Sequence, residues 1–221
     1  MPPRLNLAAL TGEELEALLG PGQTQRLLPD ISAARLATRP YPGPTLPEAL
    51  TFEALQERDW GGTQDVTRRL RALRADLDAA GAVPLGVYYV PALPEARHQS
   101  AHLDHQDTAV AVRWSETPEG QEGAPFLQAV SLLRDRASGI AAVLTSTSPM
   151  PFAPTLSEEV DGAQLPTLGA AEFLAAHRAR SARHGRAVKL STEADWQRAW
   201  QALRALNLSA WQRRGLVIDG A

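Results

Sequence analysis

The spacing of apolar residues changes period near Gly81, and no other feature of the chain constrains its fold as strongly. Before that point Val66, Leu70, Leu73, Leu77 and Ala80 recur at 4-3-4-3 intervals, the stripe of an amphipathic α-helix. After it, Val83 to Val90 reads as a strand, and Thr108 to Ser115 alternates, with Val110, Val112 and Trp114 on one face. Phe126 to Arg134 and Ile140 to Thr147 are two further β-rich runs bounded by turn residues. No helical pattern separates the last three runs, and Arg134 to Gly139 has hairpin length. An antiparallel meander is therefore expected rather than a parallel βαβ sheet.

Helices are expected before and after these strands. Thr11-Gly12-Glu13-Glu14 fits a capping box, Leu15, Leu18 and Leu19 form an apolar stripe, and Gly20-Pro21-Gly22 stops the helix. Leu27 to Thr38 reads as a second short helix, after which Pro40, Pro42, Pro44 and Pro47 force an extended linker. The 4-3-4-3 helix runs from about Thr63 to Ala80, with Gly81 suited to its C′ position and Arg68, Arg69, Arg71 and Arg74 on a solvated face. Toward the end of the chain one helix is expected over Gly169 to Arg183. Another starts near Ser191 or Thr192, and its Trp196 and Trp200 share a face, which reads as core packed on the sheet rather than as a base-stacking surface. Gly215 to Asp219 can add a short strand.

The fold class expected from these signals is α+β, one domain over residues 1–221. It comprises a mainly helical section over 1–81, a central antiparallel sheet of about four strands (83–147) within 82–148, and a helical section over 149–221 packed on the sheet.

Composition excludes several classes of function. With no cysteine among 221 residues, disulfide scaffolds, thiolate metal sites and cysteine nucleophiles are ruled out. At 44% hydrophobic and 21% charged, the chain is not a disordered tail. It has no 18-residue apolar run and no apolar leader after Met1, so no membrane span or signal peptide is expected, and a cytoplasmic location is the default. Lys189 is the only lysine among 22 basic residues; a GC-rich coding bias explains this, and so does carboxylate or phosphate recognition by arginine. Charge is split along the chain. Residues 1–167 carry 13 basic and 21 acidic side chains, whereas residues 168–221 carry 9 and 4. Either the basic end docks on the acidic remainder of the same chain, or it forms a surface for an acidic partner.

Two clusters stand out as candidate sites. Arg178, Arg180, Arg183, His184, Arg186 and Lys189 put up to six positive charges within twelve residues with no acid among them. They suit an anion or a nucleic acid, or else a solvated helix C-terminus favoured by the macrodipole. His98, His102 and His105 lie within eight residues. On an α-helix they would fall within about 60° of one another, as ligands for zinc or another divalent metal backed by Asp104 or Asp107. Against this, the outer two would be about 10 Å apart along the axis, and a polar crossover into the strand at Thr108 serves equally well. His177, beside Phe173 and Leu174, reads as a satisfied, half-buried side chain, and Thr145 to Ser148 as a polar strand end. Glu158, Glu159 and Asp161 read as a solvated acidic loop. The dinucleotide fingerprint, the phosphate loop, His-Glu-x-x-His and the Gly-x-Ser-x-Gly elbow are all missing, and no catalytic residue is assigned.

Three readings of function remain. The leading one is a non-catalytic cytosolic module that binds a protein partner or assembles with itself. The second is a nucleic-acid-associated protein using Arg178, Arg180, Arg183, Arg186 and Lys189. The third is a metal-dependent hydrolase centred on His98, His102 and His105. No cofactor is expected beyond that metal, and no membrane partner.

Overall fold

The period change at Gly81 marks the junction between a helix and the first long strand of a mixed sheet. The computed structural model describes residues 2–93, 96–116 and 124–219. By their internal contacts the residues fall into two units: Leu50–Pro149 with Glu159–Leu203, and Met1–Ala49 with Met150–Glu158 and Arg204–Ala221.

The smaller unit begins with β1 (Arg4–Asn6), followed by α1 (Gly12–Leu19), α2 (Pro21–Leu36) and β2 (Pro42–Thr45). The capping box forms as expected: Thr11 Oγ1 accepts from Glu14 N–H, and the Glu14 carboxylate accepts from Thr11 N–H. Gly20-Pro21-Gly22 not only stops α1 but starts α2, because Pro21 occupies the first turn, where its missing N–H has no partner to lose. The second helix is therefore longer than the expected Leu27–Thr38. The proline-rich linker is extended and pairs, with Arg4 opposite Thr45 and Asn6 opposite Pro42.

The larger unit holds β3 (Glu53–Leu55), α3 (Gln64–Ala79), β4 (Val83–Tyr89), β5 (His98–Asp104), β6 (Thr108–Trp114), β7 (Phe126–Leu132), β8 (Ala142–Ser146), β9 (Val160–Gln164) and α4 (Ala170–His184). Helix α5 (Glu193–Arg213) supplies its first part to this unit and its last part, with β10 (Val217–Ile218), to the smaller one. There β10 and β2 flank β1 around Leu5, Leu7, Leu15, Ile31, Trp211 and Leu216.

Mixed α and β structure is as expected, but the sheet is larger than four strands and not wholly antiparallel. Its order is β3-β4-β5-β6-β7-β8-β9, antiparallel throughout except for the parallel pair β8–β9. The four expected strands are β4, β6, β7 and β8. Strand β5 escapes the periodicity test because only Ala101 and Leu103 of its seven residues are apolar. The section over 1–81, expected to be mainly helical, also carries β1, β2 and β3. The expected acidic loop likewise contains a strand: Asp161 lies in β9, opposite Val143 of β8.

Helices cover both faces of this sheet. On one face Val110, Val112, Trp114, Leu127 and Ala129 pack with Leu70 and Leu77 of α3 and Phe173 and Leu174 of α4. On the other, Ala101, Ala109 and Ala111 keep the surface low. There Trp196 of α5 stacks on Tyr88 at 5.6 Å and donates its Nε1–H to the Val110 carbonyl at 2.9 Å. The Arg113 guanidinium lies 4.5 Å from the Trp200 ring. Trp196 and Trp200 are buried, in line with their spacing. Among the described residues no helix is long and apolar enough to cross a membrane.

Candidate functional site

The β5–β6 turn sets the position of the site. Asp107 N–H donates to the Asp104 carbonyl, and the residues between them, His105 and Gln106, have φ of 48° and 58°. Two successive left-handed residues are what a type I′ hairpin demands, although neither is the glycine or asparagine that adopts it at least cost. The chain leaving α4 is extended. Arg186 accepts at its carbonyl from Arg134 N–H, Val188 N–H donates to Leu132, and Leu190 N–H donates to Gln106. This arm lies along the end of β7 and ties down the turn.

A cleft of about 700 Å³ opens between the turn, the end of α4 and the arm. Arg134, Arg178, Arg186 and Lys189 line it, with Asp107 and Thr108 at its wall. Arg178 donates to Asp104 Oδ2 at 2.8 Å, and Asp104 is wholly buried. Arg134, Arg186 and Lys189 make no ion pair among the described residues. Of the five cations singled out in the sequence, Arg178, Arg186 and Lys189 therefore meet in one cleft. Arg180 turns instead to Asp161, and Arg183 is exposed elsewhere. The helix-end explanation holds only to His184, since Arg186 and Lys189 lie beyond α4. Arg134 escaped the sequence analysis because only the backbone pairing of β7 with the arm brings it to the cleft.

A buried polar chain runs inward from this cleft across the sheet. Arg180 Nη1 lies 3.3 Å from Thr145 Oγ1, which lies 2.8 Å from His177 Nδ1. His177 Nε2 lies 3.0 Å from Ser131 Oγ, and Ser131 Oγ lies 2.9 Å from Thr108 Oγ1. Thr108 Oγ1 donates to Asp107 Oδ1 at 3.0 Å. Both ends fix the direction, because a guanidinium only donates and a carboxylate only accepts. Each hydroxyl then donates once and accepts once. Thr145 Oγ1–H donates a hydrogen bond to Nδ1, so His177 is neutral and carries its hydrogen on Nε2, which donates to Ser131. Burial, helped by the Arg180 and Arg178 guanidinium groups, pushes the imidazole down to about 3. Ser131 thus accepts a hydrogen bond from the histidine and donates its own hydrogen to Thr108, not to the ring. The pair has the opposite polarity to a nucleophile and its base. His177 is fully buried, deeper than the half-buried position read for it, and both its ring nitrogens are satisfied.

The far end of the chain is a second ion cluster. Asp161 accepts from Arg180 at one oxygen and pairs with His184 Nε2 at 3.0 Å through the other. Burial would raise its carboxyl, but His184 and Arg180 hold it below the usual carboxylate range. The basic segment therefore docks in part on acids of the same chain, at Asp104 and Asp161.

The histidine cluster is not helical. His98 and His102 sit on β5, four residues and about 13 Å apart at the rise of a strand. His98 is packed among the rings of Trp60, Tyr89 and Trp114, at centroid distances of 5.7, 5.4 and 5.7 Å. His102 is buried, and burial pushes its imidazole down to about 4. His105 is exposed at the turn, its Nε2 3.8 Å from Asp104 Oδ1. The helical convergence expected for a metal is thus replaced by a strand that spreads the three rings apart. Among the described residues no group of three histidine, aspartate or glutamate side chains is placed to hold a metal ion.

The residues that build the polar chain carried one signal in the sequence. Ser131 and Thr145 sit at inward positions of strands that are otherwise apolar on that face. No protein-family model, curated protein or solved structure matches this chain, so the cationic cleft and the polar chain behind it are what its function must be read from.

Proposed function

We propose that this protein is a binding protein for a small phosphorylated molecule, held by its phosphate in the cleft between the β5–β6 turn and the end of α4. The observation that carries this reading is the convergence there of Arg134, Arg178, Arg186 and Lys189. Arg134, Arg186 and Lys189 gather there without an ion pair among the described residues, beside the Arg178–Asp104 pair, and an anion relieves the repulsion among them. Arginine presents a planar fork to phosphate oxygens, and Lys189, the only lysine of the chain, adds a point charge. The polar chain from Arg180 to Asp107 supports the same reading by holding the Thr108 wall of the cleft rigid.

Three other readings draw less support. A protein-interaction or self-assembling module calls for a contiguous apolar patch, whereas among the described residues the exposed large apolar side chains are Leu28, Leu36, Val83 and Met150. A nucleic-acid surface calls for outward cations along one face, and Arg178 and Arg180 are turned to Asp104 and Asp161. A metal hydrolase calls for converging histidines.

The test is calorimetric titration of the full chain with methyl phosphate and with a single-stranded oligonucleotide. Methyl phosphate is expected to bind once per chain. Arg186→Gln combined with Lys189→Gln, both exposed and free of ion pairs among the described residues, is expected to weaken it at least about tenfold, one charge-assisted contact's worth. Methyl phosphate that fails to bind, or that binds the double variant equally well, overturns the reading. Oligonucleotide binding with a steep salt dependence and no methyl phosphate binding replaces it with the nucleic-acid reading.

A further inference from the structure

The β5–β6 turn has a cleft on each side. Opposite the cationic one lies a second, of about 490 Å³, lined by Val83, Leu85 and Leu103 together with His105, Gln106 and Ser191. The two share His105 and Gln106, so both border the tip of the turn. The second has no arginine, lysine, aspartate or glutamate in its wall. It does have an aliphatic floor: Val83 is 58% exposed and Leu103 is buried behind it, paired across β4 and β5. Val83, Leu85 and Leu103 thus bring three aliphatic side chains into one cleft wall.

We infer that the ligand is amphiphilic: a phosphomonoester whose phosphate sits among Arg134, Arg186 and Lys189 and whose aliphatic tail crosses the His105–Gln106 turn onto Val83, Leu85 and Leu103. This rests on the phosphate reading above and specifies the rest of the ligand. Charge complementarity places the head, and the His105–Gln106 wall common to both clefts places the tail. The tail is aliphatic rather than a nucleobase because the second cleft offers no aromatic face but His105. The tryptophans are committed elsewhere, Trp60 and Trp114 around His98, Trp196 and Trp200 on the sheet, and Trp211 in the core of the smaller unit. Base recognition without a stacking platform forgoes its main source of affinity. The occupant is a single dissolved amphiphile and not a bilayer, since both lobes are concave and each has the dimensions of a small-molecule site.

The experiment is a calorimetric series of methyl, butyl, hexyl and octyl phosphate on the full chain, each below its micelle-forming concentration. Octanol and phosphatidic-acid vesicles complete the set. Each methylene that leaves water is expected to tighten binding, up to about fourfold for one fully buried. Val83→Asn, at an exposed position, is expected to flatten the series while leaving methyl phosphate affinity unchanged. Octanol is expected to bind far more weakly than octyl phosphate. A series that is flat on the unaltered chain, with methyl phosphate still bound, overturns the tail and leaves the phosphate reading in place. Failure of every phosphate overturns both. Tight binding to vesicles without binding to monomeric octyl phosphate overturns the dissolved occupant, and a steep series untouched by Val83→Asn overturns the site.

Discussion

His177 is buried as a neutral ring, and this makes a quantitative claim about stability at low pH. Its imidazole lies at about 3 in the folded protein, against 6.5 for an ordinary histidine. Between those values the unfolded chain binds a proton that the folded chain refuses. The stabilisation is therefore complete above pH 6.5 and is lost as pH falls, by about 1.4 kcal/mol per unit. At about pH 4.5, two units down, His177 alone accounts for about 2.7 kcal/mol of lost stability. His102, lowered to about 4, adds a parallel loss of its own, so the contribution of His177 is isolated only by difference. His177→Gln supplies that difference. Its amide oxygen can accept from Thr145 and its NH2 can donate to Ser131, and it does not titrate. The variant is expected to be less stable than the parent by about 1–2 kcal/mol at pH 7, since the amide matches the ring only approximately. It is then expected to lose about 2.3 kcal/mol less than the parent between pH 6.5 and about 4.5. Urea unfolding across that range, followed by hydrogen exchange in β7 and β8, reads the larger unit directly. Nitrogen-15 spectra of the parent give a second readout, with the hydrogen on Nε2 and no titration of the ring above about pH 4.5. Equal pH slopes in the two proteins, or a hydrogen on Nδ1, would refute the directional chain from Arg180 to Asp107.

Three further outcomes are expected. Glu14 would be raised by burial, but Thr11 N–H, Thr155 N–H and the Arg214 guanidinium hold it at about 2, so its stabilisation is present above its ordinary 4.5 and lost as pH falls toward 2. Glu14→Gln should cost about 3 kcal/mol at pH 7 and remove that acid limb, read by exchange in α1; an unchanged limb would contradict the assignment. Arg178→Gln leaves the buried carboxylate of Asp104 without its cation and should destabilise by about 3 kcal/mol, much of it recovered when Asp104→Asn is added. A double variant no more stable than Arg178→Gln alone counts against this pairing. Gly61→Ala forces a Cβ to within 2.6 Å of Thr67 N and Oγ1 at φ +118°, whereas Gly139→Ala, at φ +77°, meets nothing within 4 Å. The first should lower Tm clearly more than the second, whose cost is the left-handed backbone alone, about 1–2 kcal/mol; equal shifts would show that α3 yields at Gly61.

The helix boundaries were legible because their causes are local. Thr11 and Thr63 each accept from a backbone N–H of the first turn of α1 and α3, and Thr192 with Asp195 does the same for α5. A side chain that closes a ring of three residues needs no partner from elsewhere. The four apolar strands were legible for the same kind of reason, since alternation is a property of the strand itself. Strand β5 was not. Gln99, Ser100, His102 and Asp104 are all buried although their polarity marks them for water, because β4 and β6 pair with both edges of β5 and helices cover both faces. The histidines, read as a helical face, landed on that strand, and a 3.3 Å rise per residue separates what a helix would have stacked.

The site divides in the same way. Composition and spacing were enough to mark Arg178, Arg180, Arg183, Arg186 and Lys189 as a run of like charge, suited to an anion or to a solvated helix end, because charges close in sequence repel one another in every conformation of the chain. Only the fold decided that Arg180 would leave the cluster for Asp161, that Arg134 would join it, and that Val83 and Leu103 would lie across a turn from it. It also decided that Ser131, Thr145 and His177, unremarkable where they stand in the sequence, would form one chain of hydrogen bonds. Local signals act over a few residues through caps and periodicity. Burial of a polar group is set by whichever distant strand or helix excludes the water around it.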